Sequence, residues 1–284
     1  MSYLRHWKLA AAPFQHPRTT DDVFLGPAIA EAAARCEFAV SQRKRLSLMV
    51  GPTGCGKSVV GWRLAQQRIL KTINEHPCIV PFSGQSNYDI LSSLIQQLDP
   101  DSHREWVNVD QQLLRFAETV SSYRIVGHHS IVIVDEANDL SESQLELVGR
   151  MARIPGLSLI VAISEEGLVD LPRGLLELVE LRISVPAWDL GLVADYFDFA
   201  ISRVGGDPNI FDAQAITRVQ ELADGVPRRV AQLADLALVS GAVRRLGQIT
   251  AELIDEVCNE FTFTIGSNFP IFWESQQLNQ TILE

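Results

Sequence analysis

The segment Gly51-Pro52-Thr53-Gly54-Cys55-Gly56-Lys57-Ser58 constrains this chain more than any other, because it fits G-x-x-x-x-G-K-[ST] at every fixed position. The glycines let backbone N–H groups turn toward an anion without Cβ clashes. A helix beginning near Lys57 adds its positive N-terminal end. Lys57 reaches the β- and γ-phosphates as a mobile point charge, and Ser58 offers its hydroxyl to Mg²⁺. The apolar run Leu46–Val50 reads as the strand before this loop and Val59–Leu70 as the helix after it. The segment Gly51 to Val59 is therefore expected to hold a nucleoside triphosphate, ATP with Mg²⁺.

The rest of the chain supplies what such a loop needs. Strand-like and helix-like runs alternate from about Leu46 to Val185, the pattern of a parallel sheet flanked by helices. Pro77–Phe82 reads as a strand, and Pro81 sends it to a sheet edge because proline cannot donate to a ladder. Ile131–Val134 is an unbroken β-branched run, expected of a strand buried on both faces. Leu157–Ile163 and Leu181–Val185 complete a set of five. Ser141 and Gln144 form a capping box, with Leu140 and Leu145 placed for a hydrophobic staple. After Pro186 the strands stop. Val193, Phe197, Ile201 and Val204 make a helical stripe, Asp212 caps a second helix, Pro227 opens a third and Thr250 caps a fourth. The expected organisation is a nucleotide-binding α/β core over residues 1–186 and a small all-helical unit over residues 187–284.

The second half of the site is Asp135-Glu136, delivered at the C-terminal end of the Ile131–Val134 strand, where ligands bind in open parallel sheets. Asp135 is expected to hold Mg²⁺ through water, and Glu136 to orient and deprotonate an attacking water. That carboxylate separates a hydrolase from a protein that only switches. Cys55 within the loop is either a filler residue or a thiol whose pKa a helix N-terminus lowers. His128-His129 shows no metal spacing and reads as a loop.

Composition narrows the partners. An apolar fraction of 46% excludes a disordered chain. A net charge of −11 excludes a protein whose whole surface grips nucleic acid, though not a local patch, and Arg43-Lys44-Arg45 and Arg244-Arg245 are the two basic clusters. Four scattered cysteines, no signal peptide and no apolar run near membrane length imply a cytoplasmic chain with reduced thiols and no membrane span.

The chain resembles an AAA+ ATPase, specifically the ExeA/GspA type, with the transposition regulators MuB and TniB as relatives. Tyr3-Leu4…Trp7…Pro13-Phe14 is similar to that family's N-terminal signature, Ile133–Ser141 to its extended Walker B, with Asn138 where Gln usually stands, and Gly225-Val226-Pro227-Arg228-Arg229 to its Gly-x-Pro-Arg motif. The resemblance implies a P-loop NTPase fold: a five-stranded parallel sheet flanked by helices, plus a C-terminal helical lid. It implies an ATPase acting on the phosphoanhydride bond, working as a homo-oligomer and assembling or remodelling a protein partner it does not identify. It makes Arg228 the sensor 2 residue and Ser164 the occupant of sensor 1, where the family usually has Asn, Gln or Thr. An arginine finger comes from a neighbouring copy, with Arg182 matching better than Arg173. Family members carry a membrane span and a peptidoglycan-binding domain after the ATPase. The sequence to Glu284 has neither, which implies a stand-alone ATPase. The alternatives are a MuB/TniB-like ATPase on DNA, disfavoured by net charge, and a slow nucleotide switch or scaffold. The aromatic tail Phe269–Trp273 is expected to pack on its own lid.

Overall fold

The computed structural model describes residues 3–15, 23–71, 74–82, 84–101 and 108–261. The chain starts with α1 (Tyr3–His6) and α2 (Pro27–Ser41), then alternates strand and helix: β1 (Leu46–Val50), α3 (Lys57–Lys71), β2 (Glu75–Pro81), α4 (Asn87–Leu98), α5 (Val109–Ile125), β3 (His129–Asp135), α6 (Glu142–Met151) and β4 (Leu157–Ile163). Two short helices, α7 (Glu165–Val169) and α8 (Arg173–Leu176), lead to β5 (Leu181–Ser184). The five strands form one parallel sheet in the order β2-β3-β4-β1-β5. This is the expected five-stranded sheet, with the Pro81 strand at an edge. His129 departs from the expected loop. It opens β3, its ring hydrogen-bonds Ser158 Oγ at 2.9 Å, and burial pushes its pKa down to about 4.

Both faces of the sheet are covered, and its central strands are apolar over most of their length. Alternate residues feed two layers. Leu46, Leu48, Val50, Val132, Val134, Leu159 and Val161 pack under α4, α5 and α6. Met49, Ile131, Ile133, Ile160, Ala162 and Ile183 pack under α2 and α3. The Ser141–Gln144 capping box forms, and the Gln144 amide also donates to the Phe82 carbonyl at 2.8 Å, tying α6 to the chain after β2.

Four helices follow the sheet: α9 (Leu190–Arg203), α10 (Ala213–Leu222), α11 (Pro227–Val243) and α12 (Ala251–Phe261). Asp189 caps α9, Asp212 caps α10, and Pro227 occupies the first turn of α11. They enclose a third apolar cluster built on Val193, Phe197, Ala215, Val219, Leu233 and Ile254. The expectation grouped the N-terminal segment with residues up to 186. Its side chains pack instead with these C-terminal helices: Trp7, Leu9 and Phe14 join the third cluster. Trp7 Nε1 donates to the Leu238 carbonyl at 2.8 Å, and Tyr3 Oη to Asp235 at 3.0 Å. The tail Phe269–Trp273 lies outside the described residues. No helix among the described residues is long and apolar enough to cross a membrane.

Candidate functional site

The loop after β1 reverses through two left-handed glycines, Gly54 at φ 91° and Gly56 at φ 99°. That conformation is costly for any residue with a Cβ. Gly51 is fixed by space rather than by torsion. A Cβ there would lie 2.0 Å from the Val185 carbonyl oxygen, a backbone atom on the adjoining chain. The loop delivers Lys57 and Ser58 as the first residues of α3. The Lys57 ammonium is buried and donates to the carbonyls of Gly51 (2.7 Å) and Pro52 (2.9 Å). Burial lowers its pKa. Cys55, Asp135 and Glu166 pull it up, and Arg228 pushes it down.

Cys55 does not carry the lowered pKa that a helix N-terminus offers. Its thiol is fully buried and burial drives its pKa up, against the opposing pull of Lys57. The thiol belongs to the apolar layer under α2 and α3.

Because β4 separates β1 from β3, its end is flanked by the phosphate loop on one side and by Asp135-Glu136 on the other. Asp135 Oδ1 accepts from the Glu136 N–H at 2.9 Å. Glu136 has left-handed backbone angles, φ 55° and ψ 46°. A residue with a Cβ pays about 1–2 kcal/mol for this. Ser164, at the end of β4, caps α7: its hydroxyl accepts from the Gly167 N–H at 3.0 Å. Its own N–H donates to Asn138 Oδ1 at 2.5 Å.

The helical unit reaches the loop through the Gly-Val-Pro-Arg segment. Gly225, left-handed at φ 64°, sits so close to Trp188 that a Cβ would meet its carbonyl oxygen at 2.0 Å. Pro227 starts α11, and the Arg228 N–H donates to the Gly54 carbonyl at 3.2 Å. The Arg228 side chain is exposed beside the loop. Arg182 is exposed on edge strand β5, opposite Leu48 of β1. Arg173 is 94% exposed and pairs with Glu177. The structure thus brings together residues 51–59, Asp135, Glu136, Ser164 and Arg228 at one end of the sheet. Arg182 and Arg173 stay on the surface.

Two features carried no sequence signal. One is the Asn138–Ser164 link, since nothing in the spacing pairs those positions. The other is a small cleft beside α3, lined by Val23, Leu25, Val59, Trp62 and Arg63.

The donor set suits a metal-bound nucleotide: a hydroxyl at the start of α3, a carboxylate at the end of β3 and a glycine cradle that a Cβ would fill. Residues 40–171 match the family model described as AAA domain. That match covers just under half of the chain, and the five-stranded sheet and phosphate loop have the AAA+ P-loop fold. It is similar to general secretion pathway protein A of Aeromonas hydrophila, 25% identical over 252 residues that cover 85% of this chain and 45% of that protein. The chain thus spans less than half the length of this curated relative. Among solved structures, it resembles Cdc6p from Pyrobaculum aerophilum, with a TM-score of 0.68 and 14% identity, over 90% of this chain and 74% of that one. It also resembles the Aeropyrum pernix ORC1 protein in complex with DNA, with a TM-score of 0.62 and 20% identity, over 84% of this chain and 66% of that one. These structural likenesses concern the fold.

Proposed function

We propose that this chain binds ATP with Mg²⁺ and hydrolyses it, and that turnover drives an assembly or remodelling cycle. The observation that carries the reading is the geometry of the phosphate loop. Its left-handed glycines lead to Lys57 and Ser58, Asp135 ends β3 on the far side of β4, and the Arg228 N–H donates to the Gly54 carbonyl. The backbone of residues 51–59 cradles the phosphates, and Lys57 neutralises them. Ser58 and Asp135 would hold Mg²⁺, which would spread the charge of the phosphate oxygens. Glu136 takes a proton from water as the water oxygen bonds the γ-phosphorus. The bond to the β-phosphate oxygen breaks, and ADP and phosphate leave. Arg228 contacts the γ-phosphate and transmits its presence to α11 through the Gly54 contact. Arg182 of a neighbouring copy completes the site in a homo-oligomer, with Arg173 the other candidate. The protein acts in the cytoplasm.

A DNA-associated role has less support. Arg45 pairs with Glu180 at 2.7 Å, Lys44 lies 3.7 Å from the same carboxylate, and Arg244 pairs with Glu256. Both basic clusters thus meet acidic partners, which weakens a phosphate-gripping patch.

The test is ATP turnover per subunit over a range of protein concentrations, with and without DNA. Turnover should rise with concentration if a neighbour supplies the finger. Glu136→Gln should lower it about 10²–10⁴-fold while ATP stays bound. ATP binding without turnover at any concentration would establish the switch reading instead. ATP-dependent, salt-sensitive retention of DNA would establish the other.

A further inference from the structure

Ser164 stands between the phosphate loop and the carboxylates, but its hydroxyl serves the start of α7, where it accepts from the Gly167 N–H. The side chain that faces this strand end from the carboxylate side is Asn138. Its Oδ1 takes the Ser164 N–H at 2.5 Å, and it closes on Gly167, where a Cβ would lie 3.3 Å from Oδ1 and 3.4 Å from the Asn138 Cα. Asn138 belongs to the 3₁₀ turn Ala137–Asp139, which follows the left-handed Glu136 directly. Such a conformation persists only where its surroundings over-determine it. Three contacts do so here. The Glu136 N–H is held by Asp135, Ala137 is 2% exposed in the core, and Asn138 is fastened to β4. Of the three, the last is a hydrogen bond to the end of β4.

We propose that Asn138 is a positioning residue for hydrolysis: its carboxamide oxygen clamps the turn that carries Glu136 to the end of β4 and so sets where the Glu136 carboxylate points. Asn138 need not touch ATP or water. The proposal rests on the reading of Glu136 as the base.

The experiment compares full-length wild type, Asn138→Ala, Asn138→Asp and Glu136→Gln for kcat, KM and equilibrium ATP affinity. Asn138→Ala should lower kcat about 10- to 100-fold, the scale of a misplaced reacting group, with ATP affinity held within about threefold. Asn138→Asp keeps an acceptor for the Ser164 N–H and should recover most of that loss. An Asn138→Ala enzyme with wild-type kcat overturns the proposal, as does an Asn138→Asp enzyme no faster than Asn138→Ala. Equal losses in ATP affinity and kcat also overturn it, since they mark a merely structural role. If Asn138→Ala does not fold, Asn138→Leu replaces it. It keeps the bulk and loses the acceptor for the Ser164 N–H, and unchanged kcat there is equally fatal. Glu136→Gln separates the two failures. If it abolishes turnover and the Asn138 variants do not, only the clamp is wrong; if it leaves turnover intact, the base assignment falls and the clamp falls with it.

Discussion

The chain turns away from the sheet twice at the site, after β1 and after β3, and opposite means hold the two turns. The first uses glycines at φ 91° and 99° and tolerates no Cβ at Gly51. The second puts a glutamate at φ 55° and restrains it with neighbouring side chains and backbone. A turn defined by the absence of side chains binds an anion with its backbone and has no strain to release. A turn that must also deliver a carboxylate cannot be made of glycine, so it carries strain and needs anchors. The strain sits beside the group assigned as the base, where a held conformation aims a carboxylate more narrowly than a relaxed loop.

The sharpest way to break the first half of this comparison is Gly51→Ala. Its Cβ would stand 2.0 Å from a backbone oxygen that belongs to the chain leaving β5, and a backbone atom cannot swing aside as a flexible side chain can. The Val185 N–H also donates to the Val50 carbonyl at 2.8 Å, so relief would part the two strands at the loop. The expected loss is about 4 kcal/mol or more, or failure to fold, read by urea unfolding. A loss under about 1 kcal/mol would show that the close approach is not a constraint.

This contrast also explains what the sequence reveals. Gly51–Ser58 is legible because its geometry admits few residues. The sheet is legible because apolar runs of strand length recur between helical stripes, and Pro81 alone places β2 at an edge. Asn138–Ser164 is illegible, because a contact between a backbone N–H and a side chain 26 positions away leaves no spacing to read. Ser164 shows the same limit. A strand-end serine offers the same sequence signal whether its hydroxyl faces a ligand or caps the next helix. Cys55 fails differently: the local rule about helix N-termini is sound, but burial outweighs it, and burial depends on how α2 and α3 pack. The aromatic signature Tyr3…Phe14 gave no hint that it packs with α11 rather than the sheet.

A smaller effect tests the turn after β4. Ser164→Ala removes the α7 cap while leaving the Ser164 N–H on Asn138. Stability should fall by about 1 kcal/mol, the usual cost of an N-cap, and ATP turnover should stay within a few-fold of wild type. A large drop in kcat with unchanged stability would return Ser164 to the sensor role that the family resemblance implies.

The smallest effect has the opposite sign. Glu136→Gly places at φ 55° the one residue that adopts it freely, relieving about 1–2 kcal/mol of torsional cost. The added chain freedom of glycine in the unfolded state takes back about 0.5–1 kcal/mol. A net gain of up to about 1.5 kcal/mol should remain, seen as a higher urea midpoint with unchanged slope, together with loss of turnover. Glu136→Ala supplies the control, since it loses the carboxylate but keeps the Cβ and so should gain nothing. If the glycine variant is no more stable than the alanine variant, the left-handed glutamate carries no strain, and the distinction between the two turns reduces to one of composition.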